Sequence, residues 1–519
     1  MIELERTDVA EKMSNEQKVK RVSIQRFDDV VSQLCCTLAE STAEIPKTLL
    51  ADLIYLKQVY FDPRMTPQQR EVIVWLVKRL VAHFTHQTLQ EPLYQCALTL
   101  ELSSELWKIS QRSLSSHSKW TERHALAGLL TEKTQKNAVE RLQQLAQQEL
   151  LSAVGYLSLA KFYLNQQQPA QVLALLASQP ASWQVQMLMG RAYRQQQQPD
   201  LAKRYWQTAS SDVPAQLTVD LINDALMLLS GLASLKDHGR VLTLSQKILA
   251  TQKYTLSQLA DVTNALIRAH AYEQAEPWVE QLLKQDSTRK MHWEHQRSTV
   301  RVMRTVPTEL RPIRAAAGLY AVLSELPQPC QVLDVGSGGG EHADVFEAAG
   351  HHVTCVDFGR SVYYQQRQEA LAKRQIIYAD YMQMQLPQQY DVVWASHVLE
   401  HQPDSGAFIQ RLMQDCKPNG WLAISVPPLK HEIVGGHLTL WNAGLLLYQL
   451  AFAGINCRDA KVMTYGYNIS VVVQNRPIER PALDYDAGDV DRLAAFLPEG
   501  FVEHTDGRLL AERFLPPPQ

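Results

Sequence analysis

The 519-residue chain is long enough for two to four domains, and 45% hydrophobic residues with 24 prolines describe ordinary globular material. A formal charge of −3 gives no whole-protein attraction to nucleic acid or to an anionic membrane surface. The seven cysteines (35, 36, 96, 330, 355, 416 and 457) have neither metal-ligand spacing nor a disulfide framework, and no metal site is expected.

Met1-Ile-Glu-Leu-Glu-Arg6 lacks a basic stretch followed by an apolar core, so no signal peptide is expected. No run reaches membrane-spanning length, since Gly444–Ala453 is short and contains Gln449. A cytoplasmic protein is the expectation. Residues 1–20 are charged and aperiodic and read as a loosely held N-terminus. Residues 21–305 carry helical periodicity almost throughout. Thr66-Pro67-Gln68-Gln69 is a helix start, with a Thr cap, Pro at the first helical position and Gln at the capping-box position. Behind it Val72, Trp75, Leu76, Leu80 and Phe84 fall on one face.

Further on, Gln186-x2-Met189-Gly190-x2-Tyr193 is followed by Ala202-x3-Trp206, Ala209 and Pro214. This resembles the tetratricopeptide pattern without its opening Trp, with Trp206 in place of Phe. Shortened or degenerate neighbours stand at Leu159–Tyr163 and Tyr272–Val279, so 21–305 reads as a domain of helical-hairpin repeats. The glutamine runs at 166–168 and 195–198 fall at hairpin turns and helix ends. Arg297, Arg301 and Arg304 share one helical face, with Arg311 and Arg314 beyond Pro307. They make either a solvated linker or an anion-binding strip. Ile313–Leu326 reads as an amphipathic helix that covers a sheet.

The stretch Gln331-Val-Leu-Asp334-Val-Gly336-Ser337-Gly338-Gly-Gly340-Glu341 organises the rest. It reads as a parallel strand, a tight turn and a helix start. Glycine is required where the backbone must approach a ligand or adopt positive φ. The dinucleotide pattern G-x-G-x-x-G fails, because its third glycine would fall on Glu341, where a diphosphate would meet a carboxylate. G-x-G-x-G after Asp334 suits a zwitterion, with the acid near an ammonium and the loop N–H groups on a carboxylate. This stretch resembles motif I of the class I S-adenosylmethionine-dependent methyltransferases. Strand two, His352–Asp357, then ends in an acid, strand three leads to Asp380, and strand four, Tyr390–Ala395, leads into Ser396-His-Val-Leu-Glu-His401. Strand five is Trp421–Val426, and strands near 456–464 and 468–474 would give an antiparallel edge.

The resemblance implies a Rossmann-like, seven-stranded methyltransferase domain over 306–475, with a C-terminal extension over 476–519. It implies S-adenosyl-L-methionine as cofactor, held by Asp334, Gly336, Ser337, Gly338 and Gly340. Asp357 would serve the ribose, Asp380 the adenine amino group, Phe358 and Tyr381 the faces of the ring, and Ser396 the edge of the site.

A hydroxyl acceptor benefits from a general base. His437, in a Gly-Gly-His loop after strand five, and His401, after strand four, are the candidates. Some quinone-type O-methyltransferases bind a divalent metal through an acid, Glu and His in the segment after strand four. His397 at the first of those positions departs from that set. Residues Val426–Asn468 resemble methyltransferases of bacterial glycan-type pathways, and Trp441, Tyr465 and Tyr467 could stack on a sugar. The expected function is O-methylation of a sugar of a glycan or polysaccharide, the acceptor being a glycan or small molecule, with the helical repeats binding the acceptor or a protein partner. The alternatives are a protein methyltransferase whose repeats capture a polypeptide, and a non-catalytic cofactor-bound scaffold. With no basic, aromatic-interleaved face, a nucleic-acid acceptor is not expected.

Overall fold

The structure, a computed structural model, describes residues 26–39, 48–60, 65–84, 87–100, 102–112, 118–130, 132–327, 329–367, 371, 374 and 376–509. The expected N-terminus, 1–20, lies outside these residues, as do the last ten positions of the expected extension. The chain divides into two compact units, Met1–Ala269 and His270–Gln519. The division falls earlier than the boundary expected after residue 305.

In the first unit every regular element among the described residues is a helix. Thr66 caps Pro67–His83 as its sequence requires: its hydroxyl accepts from the Gln69 N–H, and the Gln69 side chain accepts from the Thr66 N–H. The buried face of that helix, however, is Ile73, Leu76, Val77, Leu80 and Val81. Trp75, expected inside, is 46% exposed with the Arg79 guanidinium over its ring. Farther along, helices Ala153–Asn165, Trp183–Gln195 and Ile222–Ser234 each end in a left-handed residue, Gln167, Gln197 and Lys236. The N–H one residue later bonds back to Tyr163, Tyr193 and Leu232. That is the Schellman closure, built here without glycine. Trp206 fills the space behind these helices: a Cβ added at Gly190 or Gly231 would come within 2.6 or 2.7 Å of its ring, and its Nε1 donates to the Met187 carbonyl at 3.2 Å.

The second unit begins with α1 (Tyr272–Gln285), α2 (Lys290–Arg304) and α3 (Ala316–Leu323). Strands β1 (Gln331–Val335), β2 (His352–Asp357), β3 (Ile376–Tyr378), β4 (Tyr390–Ser396), β5 (Cys416–Val426), β6 (Lys461–Tyr465) and β7 (Asn468–Gln474) form one sheet in the order β3-β2-β1-β4-β5-β7-β6. β1 to β5 pair in parallel, and β7 runs antiparallel between β5 and β6. α4 (Glu341–Ala348), α5 (Val362–Gln366), α6 (Ser405–Asp415) and α7 (Ala443–Ala453) complete the unit. This is the Rossmann-like seven-stranded architecture.

The arginine segment resolves into neither alternative of the sequence reading. Arg301 bonds Glu280 at 3.0 Å, Arg304 pairs with Glu276, and Arg311 forks onto Glu273 at 2.7 and 3.2 Å. An acidic row on α1 therefore neutralises them, and Arg311 is itself buried. α2 in turn buttresses the sheet edge: the Ser298 hydroxyl donates to the Thr464 carbonyl at 2.6 Å, and the Gly466 N–H donates to the Thr299 hydroxyl at 2.9 Å. The segment after residue 475 packs as well, contributing Leu493, Leu497, Phe501 and Leu509 to the core beneath α7.

Candidate active site

Parallel strands place their carboxyl ends at one edge, where a ligand meets loops instead of side-chain layers. At the end of β1 the Gly336 and Ser337 N–H groups both bond the Val356 carbonyl, at 2.8 and 3.2 Å. Gly336, Gly338 and Gly340 all have positive φ (69°, 51° and 73°). At Gly336 a Cβ would also collide with the Val398 side chain. The turn is thus glycine by both conformation and space.

Asp357 organises the loop beside it. Its two carboxylate oxygens accept from the Gly338 N–H at 2.9 Å and the Gly359 N–H at 2.7 Å. Each oxygen keeps a lone pair for a ligand hydroxyl. Asp334 is different: its side chain is buried and its Oδ2 has no partner. Burial raises its pKa to about 7, with the Arg374 guanidinium pulling down and Asp357 pushing up. A bare buried carboxylate beside a loop stripped of side chains fits the ammonium end of S-adenosylmethionine.

The Asp380 carboxylate accepts from the Met382 N–H at 3.0 Å and stays half-buried. Phe358 is 61% exposed at the mouth. Tyr381 is not at the mouth. It is buried, its hydroxyl donates to Asp415 at 2.7 Å, and its ring meets Phe408 edge-on. The side chain after Asp380 points into the layer under the sheet, where α6 takes it up. The exposed aromatics on this side include Tyr363 and Tyr378, which the sequence reading missed. Arg314 lies 4.2 Å over the Tyr363 ring, and Arg367 donates to the Gly339 carbonyl at 2.8 Å. Tyr378 is the last residue of β3 and Tyr363 lies in α5, and no local pattern singles out either position.

On the acceptor side, β4 ends at Ser396, whose hydroxyl is buried without a partner. His397 follows in a left-handed conformation (φ 57°), its N–H on the Ser425 carbonyl at 2.8 Å. Its Nε2 lies 3.0 Å from the Asn468 Oδ1, and its Nδ1 is 3.3 Å from Glu400. Glu400 has no exposed surface, and neither carboxylate oxygen has a hydrogen-bond partner. His401 Nε2 approaches the same carboxylate at 3.8 Å, while its Nδ1 contacts the Gly436 carbonyl at 2.7 Å. Gly436 (φ 82°) turns the following loop so that His437 meets the His401 ring edge-on, with centroids 5.1 Å apart. Burial lowers the His437 pKa, and the neighbouring Glu400 works against that shift. Ligand atoms of Glu400, His401 and His437 all lie within 4.8 Å of one another, a set that could hold a metal ion.

A cavity of about 220 Å³ opens at this loop, lined among others by Pro428, Lys430, His431, His437, Trp441 and Tyr467. Tyr465 is buried, its hydroxyl held by Ser470 and by the Gly318 N–H, and so cannot stack on a ligand. Trp441 is also buried, with its indole N–H on the Thr439 hydroxyl at 2.9 Å. Tyr467 is 39% exposed, with the Lys430 ammonium 4.4 Å over its ring and the His397 imidazole stacked on it at 6.1 Å.

The strand order, the glycine turn and an acid at or just beyond the carboxyl end of each of the first three strands define the class: the C-terminal unit is a class I S-adenosylmethionine-dependent methyltransferase domain. Residues 304–451 match the family described as "Methyltransferase domain". Among curated proteins the chain is similar to ubiquinone biosynthesis O-methyltransferase of Aeromonas salmonicida, 34% identical over 102 residues, which is 18% of this chain and 42% of that protein. The Klebsiella pneumoniae protein of the same name is 36% identical over 102 residues, 18% and 41% of the two chains. This chain therefore spans less than half the length of the curated relatives it matches. Solved structures with a similar fold include Burkholderia thailandensis 1,6-didemethyltoxoflavin-N1-methyltransferase (20% identity, 34% of this chain and 82% of that one, TM-score 0.28). Another is the N-methyltransferase NodS of Bradyrhizobium japonicum (16% identity, 33% and 98%, TM-score 0.27).

Proposed function

We propose that the protein transfers a methyl group from S-adenosylmethionine to a hydroxyl oxygen. The observation that carries the cofactor assignment is the unpartnered, buried Asp334 carboxylate beside the positive-φ glycine turn. In this reading Asp334 holds the cofactor's ammonium, directly or through water, and the loop N–H groups serve its carboxylate. Asp357 takes the ribose hydroxyls, Asp380 the adenine amino group, and Phe358 one face of the ring. Ser337 and Ser396 line the same edge. The cofactor supplies the methyl group and the leaving sulfur. What the chain must add is alignment, exclusion of water and removal of a proton.

A hydroxyl gives up its proton only when a suitable group meets it. His401, His437 and Glu400 converge beside the cavity, and the depressed pKa of His437 keeps its ring neutral and able to accept a proton near neutral pH. A thiolate or neutral amine would need no such cluster. Two acceptors fit the cavity. A glycan sugar is supported by the partly exposed Tyr467 ring and the Lys430 ammonium at the cavity, although two of the three aromatics expected to stack on it are buried. A phenol-type acceptor with an apolar substituent is supported by the loop that rims the cavity, where Leu429, Leu438 and Leu440 are half-exposed and Ile433 is 99% exposed. The names of the ubiquinone-pathway relatives lean the same way.

In the helical unit, an open cavity of about 570 Å³ is lined by Leu98, Leu130, Val154 and Phe162. It favours a second role, capture of a polypeptide that is either partner or acceptor. The deciding experiment feeds cofactor with a deuterated methyl group to extract containing the protein. Mass spectrometry then follows glycan, lipid, protein and metabolite fractions. Label in glycan or lipid supports the hydroxyl reading, label in protein alone supports the polypeptide reading, and no label in any fraction overturns methyl transfer.

A further inference from the structure

The first unit holds a groove made by two cavities, of about 450 and 570 Å³, that meet at Gln95. The first cavity is walled by helices Leu49–Val59 and Gln87–Thr99 together with Val219 and Lys253, far away in sequence. The second runs on past Leu98 and Leu130 to Val154 and Phe162. Leu50, Ile54, Leu98, Leu130 and Val154 all stand on these walls, and each is about half exposed or more. Apolar side chains scattered singly over a surface need no explanation, but a line of them along one groove marks a docking surface.

Charge gives the groove a direction. Of the acids on its walls, Glu91 is taken up by Arg123, whose Nη2 donates to it at 2.7 Å. Glu122 accepts from the Ser152 N–H at 3.2 Å, at the positive end of helix Ala153–Asn165. Lys161 pairs with Asp224. That leaves Lys57 and Lys253, both on the first cavity and neither with an acidic partner among the described residues. On a chain of net charge −3, one end of the groove is therefore positive.

The walls also select the class of occupant. The backbone groups of a helical wall are already paired, so an extended peptide would find no ladder to join. A helix satisfies its own backbone and needs only a line of apolar contacts. An acyl chain would cover the polar atoms of Gln95, Ser158 and Asn165 without returning a hydrogen bond. We propose that the groove takes an acidic amphipathic helix of another polypeptide. Its apolar side chains enter beside Ile54, Leu98, Leu130 and Val154, and its carboxylates meet Lys57 and Lys253. The inference rests on the polypeptide-capture reading of the helical unit and names the chemistry of the segment captured. It does not depend on which acceptor is methylated.

The test uses the full-length protein and a fluorescent synthetic helix of about 18 residues, roughly five turns. This peptide carries Leu at i, i+4, i+7 and i+11, Glu at the positions flanking them and Gln elsewhere. One control has Lys in place of Glu, and a second scrambles the order so that no apolar face forms. Fluorescence anisotropy should show saturable binding of the acidic peptide, weakened more than about ten-fold by Ile54→Asp or by Leu130→Asp. Both positions are exposed, so these variants should keep the wild-type circular dichroism and melting. Reversing both lysines, with Lys57→Glu and Lys253→Glu together, should weaken the acidic peptide and strengthen the basic one, an exchange that lost folding cannot produce. Equal binding of the acidic and scrambled peptides, or binding unmoved by the wall variants, overturns the groove and leaves polypeptide capture elsewhere on the unit standing. A monomeric chain that binds none of the three peptides sinks the groove and the capture reading together. A dimer in sedimentation that Ile54→Asp dissociates, with no peptide bound, gives the groove to a second copy of this chain and overturns the proposal.

Discussion

Asp334 shows how one residue can couple cofactor affinity to pH. Its folded pKa of about 7 stands above the unfolded value near 3.9. Between these values the ligand-free fold binds a proton that the unfolded chain has released, so this residue's contribution to stability falls as pH rises from about 4 to 7. A cationic ammonium prefers the ionised carboxylate, so binding has the opposite slope. Affinity for S-adenosylhomocysteine should strengthen from pH 6 to pH 8 by a few-fold to about ten-fold and then level off. Asp334→Asn should bind weakly with a flat profile. Calorimetry across that range decides it, and identical slopes in the two proteins would remove Asp334 from the ammonium site. Asp334 was legible in the sequence because its signal is local, an acid two residues before the first glycine of the turn. Glu400 is legible as a candidate after β4, but its burial is not. The loop after β5 reaches it, the Leu438 and Thr439 N–H groups bonding its carbonyl, and no short-range pattern announces that approach. Tyr381 misled for the related reason that a position after a strand end does not reveal which layer its side chain enters.

Elements were read well where caps and turns are self-contained, and poorly where a second element decides. Thr66 and Gln69 specify their helix start without outside help. The inward phase of that helix needed its neighbours, and Trp75 was placed on the wrong side. Likewise Arg301, Arg304 and Arg311 look like free cations until α1 supplies Glu280, Glu276 and Glu273. Trp206 lies between these cases, since the spacing from Gly190 is visible in sequence whereas Gly231 comes from the next hairpin. Trp206→Ala would leave a cavity between the helices and should cost roughly 3–5 kcal/mol. Gly190→Ala would force the indole aside at roughly 1–3 kcal/mol. Both should lower the denaturation midpoint of the helical unit and leave S-adenosylhomocysteine affinity unchanged. A cofactor affinity that falls in step with the midpoint would show the units to be coupled.

At the scale of the whole molecule, the boundary between the units decides what can be cut. Sequence periodicity joins α1 and α2 to the helical repeats, because a helix carries no local mark of the partner it covers. Contacts join them to the sheet: α2 buries Trp293, Val300, Val302 and Met303, Ser298 bonds Thr464 of β6, and Thr299 bonds Gly466 in the β6–β7 turn. Removing one large buried aromatic and three other apolar side chains forfeits roughly 6–12 kcal/mol at about 1.5–3 kcal/mol each. That loss is comparable with the whole stability of a typical domain. A fragment starting at His270 should therefore fold, unfold cooperatively and bind S-adenosylhomocysteine as the full chain does. A fragment starting at residue 306, the boundary read from sequence, should aggregate or melt more than about 10 °C lower, since about 1 kcal/mol moves the midpoint of a domain this size by roughly 2–4 °C. Differential scanning calorimetry of the two fragments separates the cases. Equal midpoints would mean that α1 and α2 belong to the repeats after all, and that the sheet edge they cover does not depend on them.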